Sequence, residues 1–291
     1  MHEFDFAAPD SLQQAVELLG RADGEAHALA GGTDLIPQIK ENRRRPSLVV
    51  DIKKIPELNV LSYDAAGLRI GAAVSCTRIA EFDAVKQHYP ALAEACALVG
   101  SYQIQNRAAL GGNICNAAPS ADAVPPVLSY AGRLLLAGPN GQRELAAETF
   151  FTGPGQTVLA RGEVLVAIQL PPPPANSGAA YLRFIPREEM DIAVAGVGSF
   201  VQLSADGQRC QQARISLASV APTPVRADEA EAFVAGKPLD AATIAEAGEL
   251  AARAARPISD VRGSAAYRRE LVKVLTRRTL QTALDRARRS A

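Results

Sequence analysis

The 291-residue chain has no tryptophan, and aromatic residues make up only 5% of it. That scarcity argues against a base-stacking platform for nucleic acid. An excess of one charge is missing too: 31 basic residues balance 31 acidic ones, so no global field draws the chain to nucleic acid. The four cysteines, Cys76, Cys96, Cys115 and Cys210, lie 20, 19 and 95 residues apart with no C-x-x-C pair. That spacing fits neither a zinc ribbon nor a ferredoxin-type cluster, and the cysteines read as small buried hydrophobes. No apolar run reaches the ~18 residues of a membrane span. The first six residues carry acids where a secretory signal needs a basic start. The expectation is a soluble, cytoplasmic protein. Hydrophobic content of 48% and charged content of 21% are globular values, and the length leaves room for two or three domains.

Periodicity organises the chain. Ser11 is a predicted N-cap for a helix carrying Leu12, Ala15, Val16, Leu18 and Leu19 up to Gly20. After a polar turn, the segment 26–30 reads as a strand that ends in Gly31-Gly32-Thr33-Asp34. A helix at 35–40 and a strand at 47–51 complete a β-α-β unit. The segments 59–63 and 68–72 then read as a hairpin, and Thr77 as the cap of a helix beginning at Arg78. A helix follows Tyr89-Pro90, then a polar, glycine-rich stretch over 101–122, a short helix at 125–130, and strands at 132–138 and 164–170. Pro171 to Pro174 is a linker, because four prolines cannot join a helix or a ladder. Beyond it, strands at 180–185, 193–203 and 213–220 precede helices at 226–235, 240–255 and 265–287. Strands followed by helices predict an α+β domain. The expected divisions are 1–57, 58–174 and 175–291.

Two glycine pairs are the chemical candidates. In Ala30-Gly31-Gly32-Thr33-Asp34, a strand-end turn without Cβ atoms lets backbone N–H groups approach an anion, with a diphosphate as the natural ligand. The pentapeptide alone also fits a tight strand-to-helix turn without a ligand. Leu110-Gly111-Gly112-Asn113, followed by Asn116 and Asp122, reads as a second Gly-Gly turn with amide and carboxylate groups. By itself it also fits a surface loop. Together the two suggest one large ligand bearing a diphosphate and a polar ring system. Other chemistries are missing: there is no P-loop, G-x-G-x-x-G or G-x-S-x-G motif. His2, His27 and His88 are scattered and read as structural or exposed. Gly196-Val197-Gly198 lies inside a predicted strand and reads as close packing. The stretch 183–191 reads as a charged, solvated hairpin loop between strands, or as a segment that delivers Arg183 to an anionic or electron-rich partner. From Arg262 on, nine Lys or Arg face only Glu270 and Asp285, giving a basic last helix suited to solvent or an acidic protein partner.

Ala30-Gly31-Gly32-Thr33-Asp34-Leu35 and Leu110-Gly111-Gly112-Asn113-Ile114 resemble the two flavin-binding loops of the molybdenum hydroxylase family. More narrowly, the chain resembles the separate flavoprotein, or medium, subunits of carbon monoxide and bacterial xanthine dehydrogenases. The resemblance runs end to end. It includes Asn106-Arg107 before the second loop, Ala118-Pro119-Ser120-Ala121-Asp122, Gly162-Glu163-Val164-Leu165, and Arg187-Glu188 with Asp191-Ile192-Ala193.

The resemblance implies FAD in the two-subdomain fold of the vanillyl-alcohol oxidase (PCMH) type, followed by a C-terminal domain of antiparallel sheet and helices. It implies that Leu29, Ala30, Gly31, Gly32, Thr33, Asp34 and Leu35 wrap the diphosphate. Ala109, Leu110, Gly111, Gly112 and Asn113 should contact FAD, with Asn116, Asp122, Leu165 and Arg183 near it. Ala109 and Ala121 stand where some relatives carry Ser or Thr, and Arg183 where some carry Lys. No cysteine-bearing iron–sulfur insertion is present. No metal site and no catalytic acid or base is expected in this chain. The implied partners are a large subunit with a molybdopterin cofactor and a small subunit with [2Fe–2S] clusters, as a dimer of heterotrimers, with an external acceptor such as NAD. Ile104, Ala108, Ala109 and Ala117 are expected to permit close approach by such a neighbour. A stand-alone oxidase of the same fold and a non-enzymatic nucleotide-binding module remain the alternatives.

Overall fold

The computed structural model describes residues 2–21, 25–187 and 190–290. The polar turn at 22–24 and residues 188–189 of the charged hairpin lie outside the described residues. Near the N-terminus, β1 (Asp5–Ala7), α1 (Leu12–Arg21), β2 (Ala26–Leu29), α2 (Leu35–Lys40) and β3 (Leu48–Asp51) form a parallel sheet of order β1-β3-β2. Ser11 caps α1, its Oγ accepting from Gln14 N at 3.3 Å. β1 has no counterpart in the sequence reading.

The next sheet is antiparallel. β4 (Leu61–Asp64) and β5 (Gly67–Gly71) form the expected hairpin. Six short helices follow: α3 (Cys76–Glu81), α4 (Asp83–His88), α5 (Pro90–Ala97), α6 (Tyr102–Gln105), α7 (Leu110–Asn116) and α8 (Val124–Ser129). Then come β6 (Arg133–Gly138), β7 (Gly141–Ala146), the small ribbon β8 (Phe151–Gly153) and β9 (Gln156–Thr157), and β10 (Val164–Leu170). The sheet order is β4-β5-β10-β6-β7, so the apolar β10 runs through its centre. Two local expectations are corrected. α3 begins earlier than Arg78, because Ser75 and not Thr77 supplies the cap, accepting from Arg78 N at 3.4 Å. The second Gly-Gly segment is the first turn of helix α7, not a loop. Glycine disfavours helix, but a Cβ on Gly111 would sit 2.5 Å from Ala72 O, so tight packing against the strand end decides the outcome.

The C-terminal part matches its expected pattern. β11 (Ser177–Phe184), β12 (Ala195–Leu203), β13 (Cys210–Ala218) and β14 (Val225–Arg226) pair in sequence order, all antiparallel. α9 (Asp228–Val234), α10 (Ala241–Ala254) and α11 (Ala265–Arg289) follow. α11 lies so close to β11 that a Cβ on Gly178 would be 2.3 Å from Ala283 O. Gly198 likewise meets α8, and Ser129 Oγ donates to its carbonyl at 3.0 Å.

Two hydrophobic cores result. One joins both N-terminal sheets and their helices and takes in Ala179, Tyr181 and Phe200 from the C-terminal sheet. The other lies between that sheet and α9, α10 and α11. The proline run between the sheets is fastened at both ends. Tyr89 Oη donates to Pro171 O at 3.0 Å, and Ser177 Oγ to Pro174 O at 2.6 Å.

Candidate functional site

The two glycine pairs meet. A Cβ on Gly31 would lie 1.9 Å from the carbonyl oxygen of Arg107, so this position admits no side chain while the segments touch. Gly32 has a φ of +76°, a conformation glycine adopts without the usual Cβ penalty. Gly111 rests on Ala72, whereas the nearest neighbour a Cβ on Gly112 would find is Ala30 Cβ at 3.9 Å.

Between these segments opens a cleft of about 550 Å³, within the ~300–1,000 Å³ usual for small-molecule and cofactor sites. Residues 25–35 form one wall and residues 108–116 another, and the segment 155–165 closes the third side. Gly155 N donates to Ala117 O at 2.9 Å and ties that third segment to the end of α7. All the expected site residues line the cleft except Leu110, Asp122 and Arg183. Leu110, the first residue of α7, is fully buried in the N-terminal core.

Asp122 and Arg183 pair with one another, their side chains 10% and 7% exposed. Tyr181 Oη also donates to Asp122, at 2.7 Å. Burial raises the Asp122 carboxyl above its ordinary value, opposed by the Arg183 charge and both hydrogen bonds. Among the described residues, Arg183 Nε has no partner. Of the four residues expected to face a neighbour, Ala108, Ala109 and Ala117 are 5%, 3% and 2% exposed and pack inward, while Ile104 is half-buried.

Several lining residues were not expected from the sequence. Glu25, His27, Gln38 and Arg44 occupy one side of the cleft, and Arg161 and Glu163 another. Gln38 Nε2 donates to Asn116 Oδ1 at 3.0 Å, and Arg44 Nε donates to Gln38 Oε1 at 2.6 Å. Glu25 stands 3.7 Å from Arg44 and 2.7 Å from His27. His27 therefore belongs to the cleft wall. Burial of the ring, and then Arg44, lower its pKa below the ordinary imidazole value in spite of Glu25.

The donors and acceptors of the cleft suit a dinucleotide. Among the described residues, the amides of Gly31, Gly32, Thr33 and Asp34 have no acceptor, as an anion-binding nest requires. Among the described residues, Asn113 Oδ1 is buried without a partner, an arrangement that costs ~1–3 kcal/mol unless a ligand satisfies it. The bare side of Gly112 leaves room for close approach. Among the described residues there is no cluster of His, Cys, Asp or Glu able to hold a metal, and no helix long and apolar enough to cross a membrane.

Fold and cleft define an FAD-binding oxidoreductase component of the PCMH type. Residues 2–173 match the family model for the FAD binding domain in molybdopterin dehydrogenase, and residues 180–283 match the CO dehydrogenase flavoprotein C-terminal domain. The chain is 35% identical over 290 residues to the xanthine dehydrogenase FAD-binding subunit of Escherichia coli O157:H7, covering 98% of each chain. It is 33% identical over 285 residues to the carbon monoxide dehydrogenase medium chain of Hydrogenophaga pseudoflava, covering 97% of this chain and 98% of that one. A solved structure of carbon monoxide dehydrogenase from the same organism superposes with a TM-score of 0.93 at 33% identity, over 98% of both chains. The chain belongs to the family of FAD-binding subunits of the molybdenum hydroxylases, and FAD is its cofactor.

Proposed function

We propose that this chain is the electron-transfer subunit of a molybdenum hydroxylase complex. It stands between the [2Fe–2S] clusters of a small partner subunit and an external acceptor such as NAD. A large subunit with a molybdopterin cofactor oxidises the organic substrate, and the assembly is a cytoplasmic dimer of heterotrimers. Support for the partners comes from the relatives, which are named as subunits or medium chains of dehydrogenases. The four free thiols accord with a reducing compartment.

The observation that carries the reading is the seat of Gly31 on the 107–108 backbone. It brings an amide nest and a set of side-chain amides to opposite walls of one cleft. In this reading the amides of 31–34 face the diphosphate, and Leu29, Ala30 and Leu35 form the apolar flank around them. Ala109, Gly111, Gly112, Asn113 and Asn116 supply the facing wall, where Asn113 Oδ1 gains a donor. Leu165 adds an apolar contact from the third side, and Asp122 and Arg183 stand next to the bound cofactor. Bound FAD supplies the redox chemistry, exchanging electrons singly on one side and in pairs on the other. The protein's contribution is binding, orientation and exclusion of water, which requires no general base.

Reconstitution tests the reading. The purified chain should carry a flavin spectrum and show at most diaphorase-type activity. Reduction of its flavin by an organic substrate should begin only after the partner subunits are added. If the single chain reduces its own flavin with a purine, an aldehyde or carbon monoxide, the stand-alone oxidase reading replaces this one.

A further inference from the structure

Arg44, Gln38 and Asn116 form a line of side chains along the cleft wall, drawn from the segment after α2, from α2 itself and from α7. Its polarity is fixed by chemistry. A guanidinium has donors only, so the Gln38 atom facing Arg44 must be Oε1. The other end of that amide, Nε2, is then a donor, so the Asn116 atom facing it must be Oδ1. Asn116 Nδ2, which has no acceptor among the described residues, is left as a donor at the cleft. Arg44 is itself held in place: its N donates to Gln38 O at 3.2 Å, and Glu25 lies 3.7 Å from its guanidinium.

We infer that Gln38 is a positioning residue for the cofactor. Polarised by Arg44, it locks the Asn116 amide so that Asn116 offers Nδ2, and not Oδ1, to an oxygen acceptor of the bound dinucleotide. This inference rests on the reading of the cleft as the FAD site. The relay also joins the first glycine segment to the second by a side-chain path separate from the Gly31 contact. It accounts for a glutamine on α2 whose two amide ends are both committed within the cleft wall.

The test compares FAD dissociation constants and thermal stability in the full-length chain stripped of flavin. Gln38→Met removes the lock without adding charge, and FAD should bind about fivefold more weakly, the usual effect of one hydrogen bond. Gln38→Glu still accepts from Arg44 but cannot donate to Asn116. Asn116 then turns its amide toward the new carboxylate and presents Oδ1 to the ligand. Affinity should fall further than in Gln38→Met, while the melting temperature of the stripped protein holds or rises. In an Asn116→Ala background, Gln38→Met should cost nothing more, because Gln38 acts through Asn116. Wild-type affinity in Gln38→Met overturns the relay, even if Gln38→Glu binds weakly, since charge alone then explains the loss. An equal cost of Gln38→Met with and without Asn116 overturns it as well. If the unaltered chain fails to bind FAD, the reading of the cleft falls and the relay toward FAD falls with it.

Discussion

Gly31 is seated on the backbone of Arg107, with room for no atom beyond hydrogen between them: a Cβ would be 1.9 Å from the carbonyl oxygen and 2.9 Å from Ala108 Cα. Gly112, on the facing wall, has no such neighbour. The two glycines thus serve different ends, one joining the walls and the other keeping the space between them clear.

Substitution should separate those roles. Gly31→Ala forces the two segments apart, and the flavin-free protein should melt at a lower temperature with little FAD retained. Gly112→Ala meets nothing closer than 3.9 Å and removes a poor helix former from α7, a gain of ~0.5–1 kcal/mol. Its flavin-free form should melt at the same temperature or higher, yet bind FAD more weakly, because the methyl group intrudes on the cleft. Calorimetry paired with flavin titration checks both signs. Full FAD occupancy in Gly112→Ala would remove α7 from the binding surface.

Asp122 and Arg183 form a buried pair. Removing one partner leaves a charge without compensation, at a cost of ~3–5 kcal/mol. Asp122→Ala should therefore lose stability in the flavin-free state as well as affinity for FAD. The joint replacement Asp122→Leu with Arg183→Met should recover part of the stability, short of the ~1–3 kcal/mol for the Tyr181 hydroxyl left without its acceptor, and none of the affinity. Urea unfolding of the stripped single and double variants measures the first effect, and flavin titration the second. If affinity returns along with stability, the pair only supports the fold.

His27 couples the cleft to pH. Its folded-state pKa lies below the ordinary 6.5, so below that pH the unfolded chain binds a proton that the folded chain resists. This contribution to stability is complete above pH 6.5. It declines as the pH falls toward the folded-state value. His27→Gln should flatten the fall in melting temperature as the pH drops below about 6.5. An unchanged slope would assign the fall to other groups.

Tyr181 comes from the C-terminal sheet but is buried in the N-terminal core. The flavin-free chain should therefore unfold in one calorimetric transition. Tyr181→Ala should lower that transition as a whole, with a loss of ~3–5 kcal/mol typical of a buried aromatic. Two resolved transitions, with only one sensitive to the substitution, would show the cores to be independent.

The strands β11, β12 and β13 and the long α11 are legible in the sequence, because each carries apolar residues over many positions. β1 is too short for a pattern, at three residues, and β7 is a polar edge strand exposed along most of its length. α7 is not legible in the sequence because Gly111-Gly112 breaks helix by local preference, and only the contact with Ala72 reverses that. The glycine pairs marked the cleft because glycine interrupts any pattern. Gln38 and Arg44 left no such mark. Long polar side chains next to a short helix resemble a solvated surface, and only the folded chain brings Gln38 to Asn116, 78 residues away.

The proline run fastened by Tyr89 and Ser177 acts as a strut and not as a hinge. A recombination event or a designed chimera that cut the gene there would look natural on the sequence, yet it would sever a shared interior. The incoming C-terminal half would have to bring a residue shaped like Tyr181 and a donor like Ser177, or the recipient's flavin half would be left with a hole in its own core. Exchange of halves among these subunits is therefore constrained by fit across the seam, and the interchangeable unit is the whole chain.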